Sequence, residues 1–158
     1  MGDKASDGYR VGDEVLHFWP LFFVALLLVN DWIFKPFALL PGWATGKLSD
    51  IAGLYFFPLV LSSFFSLGLN LLSLNKAKRE RHGRPTKTRL VICYVATCLV
   101  FSLIKINPFI NGVFESLFEF SFGRSTIVMD ATDLICLPAL FWSLIASLGR
   151  MRSIEEAK

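Results

Sequence analysis

Charge is scarce in this sequence. Only 18% of its 158 residues are Asp, Glu, Lys or Arg, against roughly 25% in ordinary soluble domains. Cysteine is scarce too. Cys93, Cys98 and Cys136 all fall in apolar runs and lack metal-ligand spacing, which excludes a disulfide-stapled module and a thiolate metal site and leaves them as small packing residues. The two histidines, His17 and His82, stand far apart. No zinc or haem motif is present, so no metal or other cofactor is expected, and His17 reads as a helix-end residue. Strands of alternating polarity are missing, which argues against a membrane barrel. No small-residue cleavage site follows the first apolar block, so the first helix is expected to stay in the membrane.

Apolar residues are abundant. They make up 54% of the chain, with 15% aromatic and sixteen phenylalanines, and the mean hydropathy is +0.54. One domain of this length cannot hide so much apolar surface in a water-soluble core. A soluble enzyme and a disordered protein are therefore excluded. An all-α integral membrane protein is expected, because helices satisfy every backbone polar group internally.

Four apolar segments are expected to cross the bilayer, at residues 15–34, 51–73, 89–106 and 132–149. About 20 helical residues cross a hydrocarbon layer of roughly 30 Å. The loop at 75–89 carries Lys76, Lys78, Arg79, Arg81, Arg84, Lys87 and Arg89 against one acid, Glu80. Basic residues concentrate on the cytoplasmic side of spans, so this loop is expected inside, and four spans then place both termini inside as well. The reading is a four-helix bundle, multi-pass in the inner membrane, made of a single domain. The basic run is read as membrane-flanking, not as a nucleic-acid patch.

That topology sends the charges outside the basic loop and the two termini to the opposite side. Asn30, Asp31, Lys35, Lys47, Asp50, Lys105, Glu115, Glu119, Arg124, Asp130 and Asp133 fall at or near the extracytoplasmic ends of the spans, in or beside the outer loops at 35–50 and 107–131. Ionisable groups at membrane depth are costly, usually paired, and often mark function. Local readings compete. Asp31 and Lys35 are i,i+4 partners. Ser49 or Asp50 suits the start of the second helix, and Thr132 or Asp133 that of the fourth. In the first outer loop Pro36, Pro41, Gly42 and Gly46 are expected to prevent a continuous helix. In the second, Asn107-Pro108 is expected to end the third helix. The segment FINGVFESLFEFSF reads as a short interfacial helix or a half-buried continuation, with Glu115 and Glu119 able to share a proton or cation.

These motifs resemble the VanZ-like family of small multi-span membrane proteins. Lys47 in Gly46-Lys47-Leu48-Ser49-Asp50 matches the lysine of that family's first motif, and Asp50 stands in place of its histidine. Glu115 matches the glutamate that ends a span, with Gly123-Arg124 following and then Asp130. Phe118 and Leu134 stand where the family has glutamine and asparagine. The resemblance covers residues 45–148 and implies an envelope-facing polar site linked to glycopeptide susceptibility.

The function expected is binding of an envelope lipid, cell-wall precursor or glycopeptide-type ligand. Lys47, Asp50, Glu115, Arg124, Asp130, Asp133, Asn30, Asp31, Lys35 and Lys105 are the candidate site, Lys47 and Arg124 meeting anionic groups. Membrane lipid is the expected partner. Three alternatives stay open. One is a cation or proton channel or transporter formed by a ring of identical subunits. Another is a non-enzymatic sensor or scaffold subunit. The third is an enzyme on lipid-linked phosphate using Asp130 and Asp133. No recognised catalytic set is present, so no catalytic residue is assigned.

Overall fold

A computed structural model describes residues 15–72, 86–122 and 127–156. Among these, every regular element is helical. Helix α1 spans Phe18–Val29 and continues as a π-helical turn, Asn30–Phe34. Helix α2 spans Gly42–Leu72, α3 Lys87–Ile106 and α4 Pro108–Phe122. A 3-10 turn, Ala131–Cys136, leads into α5, Leu137–Glu156. Three stretches are long and apolar enough to cross a membrane: Gly42–Leu72, Lys87–Ile106 and Ala131–Ser153. Phe18–Phe34 forms a shorter apolar helix, about 25 Å long at 1.5 Å per residue.

Local chemistry sets most of the boundaries. His17 Nδ1 accepts from the Trp19 amide at 3.1 Å and caps α1, the helix-end role read from the sequence. Thr86 Oγ1 accepts from the Arg89 amide at 3.3 Å and caps α3. Asn107-Pro108 acts twice. Proline cannot continue α3, yet it suits the first position of α4, whose free amides at Phe109 and Ile110 are met by Asn107 Oδ1 at 3.0 and 3.2 Å. Asp130 Oδ1 accepts from the Thr132 amide at 2.8 Å and caps the 3-10 turn.

The loop expected at 35–50 is shorter in the structure. Helix α2 begins at Gly42 and runs through Gly46, so Lys47 and Asp50 lie within a helix instead of a loop. Pro41 sits just before it, where its carbonyl accepts from the amides of Ala44 and Thr45 and its missing N–H costs nothing. Glycine lowers helix propensity by only about 1 kcal/mol, and side-chain bonds from Asn30 hold this first stretch of α2 in place. Ala38, in the tight turn before it, takes the left-handed conformation with φ 47°.

Helix α2 is the central element and packs on α1, α3 and α5, while α4 packs on α3. Leu54, Leu59, Leu90, Tyr94, Cys136, Leu140 and Met151 form the main core. Phe23, Ala52 and Tyr55 form a second one where α1 meets α2, with the Phe23 and Tyr55 rings stacked 4.0 Å apart. Small hydroxyl residues let the backbones approach and bond across the interface. Ser143 Oγ donates to the Tyr55 carbonyl at 2.7 Å and lies 2.6 Å from the Tyr94 hydroxyl. Outward faces are apolar: Ile92, Leu99, Phe64 and Ile145 are all exposed. Cys93 and Cys136 are buried and form no disulfide among the described residues, as packing residues would be.

Candidate functional site: an alternating chain of charges at one end of the bundle

Helical periodicity puts Lys47 and Asp50 on one face of α2, since residues three apart are neighbours. Helix α3 delivers Lys105 in its last turn, where the negative end of the helix dipole favours a cation. The 3-10 turn delivers Asp133 in its first turn, where the positive end favours an anion. The four side chains meet. Lys105 Nζ donates to Asp50 Oδ2 at 2.8 Å and to Asp133 Oδ2 at 2.6 Å. Lys47 Nζ donates to Asp133 Oδ1 at 2.7 Å and to Thr132 Oγ1 at 2.8 Å. Asp130 Oδ2 lies 3.8 Å from Lys47 Nζ. The result is a chain of alternating sign: Asp50, Lys105, Asp133, Lys47, Asp130.

This chain is graded in depth. The side chains of Lys105 and Asp133 are each 9% exposed, whereas Lys47 is 23% and Asp130 40% exposed. Lys105 also lies 5.5 Å from the centre of the Phe101 ring, a cation–π contact. The inner pair is therefore a structural clamp joining three helices, and the outer pair is its open mouth. At that mouth, hydrogen bonds from the Thr132 hydroxyl and amide, helped by the Lys47 charge, hold the Asp130 carboxyl below the usual carboxylate range.

A second polar group flanks the first through α2. Asn30 is fully buried, and its Nδ2 donates to the Thr45 carbonyl at 2.9 Å and to Ser49 Oγ at 2.7 Å. Ser49 Oγ donates to Asp31 Oδ1 at 3.1 Å, and Asp31 pairs with Lys35, the i,i+4 pair expected from spacing. The π-helical turn that begins at Asn30 makes an i−5 bond, from the Lys35 amide to the Asn30 carbonyl at 2.9 Å. Asn30 Oδ1 is buried without a hydrogen-bond partner among the described residues.

Glu115 has a different position. Its Oε1 accepts from the Ile127 amide at 2.7 Å, while Asn111 Nδ2 donates to the Ile127 carbonyl at 3.1 Å and to the Ile104 carbonyl at 3.2 Å. Together they fix the chain segment that leads into the 3-10 turn. Glu119 is exposed. Arg124 and most of the basic loop, residues 73–85, lie outside the described residues. Of the ten candidate site residues, the structure thus joins Lys47, Asp50, Lys105, Asp130 and Asp133 directly. It places Asn30, Asp31 and Lys35 in the flanking group and Glu115 in the tether. Among the described residues no cluster of three or more His, Cys, Asp or Glu is arranged to hold a metal ion.

Sequence reasoning did not see the apolar cavity beside Asp50, lined by residues such as Gly53, Phe57 and Phe101. Its signal is weak: a glycine three residues after an acid on an otherwise bulky helix. Comparisons with family models, with curated proteins and with solved structures find no match to this chain.

Proposed function

We propose that this chain is a four-span inner-membrane protein, N and C termini in the cytoplasm, whose charge chain faces the extracytoplasmic side and binds an envelope lipid, cell-wall precursor or glycopeptide-type ligand. The observation that carries the reading is the asymmetry of the chain of charges. Its inner members are buried and paired on both sides, so they hold the site's shape. Lys47 is paired yet partly open, and it presents an ammonium beside a hydroxyl and a carboxylate, a donor–acceptor set suited to a polar head group. The length of α2 supports the depth assigned. At about 46 Å it exceeds the hydrocarbon layer of roughly 30 Å, which leaves its first turns, with Lys47 and Asp50, at the interface. The seven basic residues at 76–89 favour a cytoplasmic position for the opposite end. The VanZ-like resemblance, which rests on Lys47, Glu115, Arg124 and Asp130, supplies the link to the cell envelope.

The test is glycopeptide susceptibility of cells producing the chain, with membrane abundance measured alongside. Lys47→Ala abolishes the susceptibility phenotype while the protein still inserts at wild-type level. An unchanged phenotype in that variant rejects the reading.

A further inference from the structure

The charge chain has a second opening, on its buried side. Asp50 lies at the polar end of a cavity of about 230 Å³ between α2 and α3. Gly53 and Phe57 of α2, Val100, Phe101 and Ile104 of α3, and Phe114 of α4 form its walls. The helices are antiparallel, so Asp50 and Ile104 share one end, while Phe57 and Thr97 share the other. From Ser49 to Phe57 the cavity follows α2 for about 12 Å at 1.5 Å per residue. Phe57 and Val100 are exposed, so the cavity opens sideways, on the surface that membrane-length helices turn toward lipid.

Apolar walls and a charged end are the two halves of an amphiphile site. The polar end also has a sign. Asp50 lines the cavity and uses Oδ2 for Lys105. Among the described residues, three carboxyl groups, Asp50, Asp130 and Asp133, face two ammonium groups, Lys47 and Lys105. A hydrogen-bonding cation on Asp50 matches that carboxyl majority at the polar end.

Resting on the membrane placement proposed above but not on the ligand at Lys47, we propose that this groove is a second site that takes a phospholipid with a primary-ammonium head group, its ammonium on Asp50 and one acyl chain between α2 and α3. A water-soluble amine leaves the apolar groove unfilled, and a lipid with an anionic head meets the carboxyl majority.

The experiment uses the full chain in nanodiscs of phosphatidylcholine. Each preparation is doped with a diazirine-chain analogue of phosphatidylethanolamine, phosphatidylcholine or phosphatidylglycerol, and the cross-links are mapped by mass spectrometry. The ethanolamine analogue labels the walls of the groove at least fivefold more than the other two. Asp50→Asn removes that preference. Gly53→Leu removes groove labelling altogether, because a Cβ built there meets nothing within 4 Å and the rest of the side chain grows into the groove that Gly53 lines. Should Asp50→Asn fail to fold, the head-group comparison and Gly53→Leu still decide. Equal labelling by all three analogues, or groove labelling that survives Gly53→Leu, overturns the proposal. The susceptibility assay on Lys47→Ala is independent of it. A null cross-linking result with a positive Lys47→Ala result removes the lipid groove and keeps the charged site.

Discussion

The clamp around Lys105 gives the sharpest quantitative expectation. Lys105→Met keeps the length and apolar stem of the side chain and removes its charge. Asp133 retains Lys47, but Asp50 loses its cation while its side chain is only 20% exposed. Removing one partner of a buried pair costs roughly 3–5 kcal/mol, because the other charge is left uncompensated. Partial exposure of Asp50 puts the loss at the low end, about 3 kcal/mol. For a chain of this size that corresponds to a fall in melting temperature of roughly 6–12 °C. The double variant Lys105→Met/Asp50→Leu removes both charges, and replacing a buried pair by apolar groups is often neutral. It recovers most of the loss. The assay is thermal unfolding followed by circular dichroism at a fixed detergent concentration and neutral pH. If the single variant melts within a degree or two of wild type, the pair is not buried as described. If the double variant is no better than the single one, the loss comes from packing and not from a stranded carboxylate.

Three further expectations concern the elements that hold this clamp. Ala38→Gly relieves the left-handed backbone at φ 47° and raises stability by about 1 kcal/mol, read as an increased melting temperature. Glu115→Ala removes the acceptor for the Ile127 amide and costs roughly 1.5 kcal/mol. Hydrogen exchange at that amide accelerates, whereas exchange in the middle of α2 does not change. Asp130 titrates below the usual carboxylate range, because the Thr132 hydrogen bonds favour its charged form. Its cap therefore contributes fully above the ordinary carboxylate pKa and is lost as pH falls through the lowered native value. Carboxyl NMR of labelled aspartate reads this directly, and Thr132→Val returns the Asp130 midpoint toward the ordinary one.

Much of the architecture was legible in one dimension. Apolar run length identifies α2, α3 and α5 as membrane-length helices, because a backbone in lipid has to satisfy its own hydrogen bonds and the helix does so locally. The Asn107-Pro108 break between α3 and α4 and the Asp31–Lys35 pair are equally local, set by proline geometry and by the helical repeat. The start of α2 is where the local reading failed. Gly42 and Gly46 weaken a helix by propensity alone, and Asn30, reaching across from the preceding helix to Thr45 and Ser49, outweighs that weakness.

Sequence by itself determined that the molecule is helical, apolar and poor in charge, and that its charges outside the basic loop and the two termini fall near one set of helix ends. Only tertiary structure decided which of those charges meet. Lys105 closes on Asp50 and Asp133, 55 and 28 residues away, while Glu115 turns aside to hold the Ile127 amide. Propensity and periodicity act over one or two helical turns. A salt bridge across three helices depends on how far each helix slides and rotates against its neighbours, and that is set by the packing of Leu54, Tyr94 and Leu140 along the core.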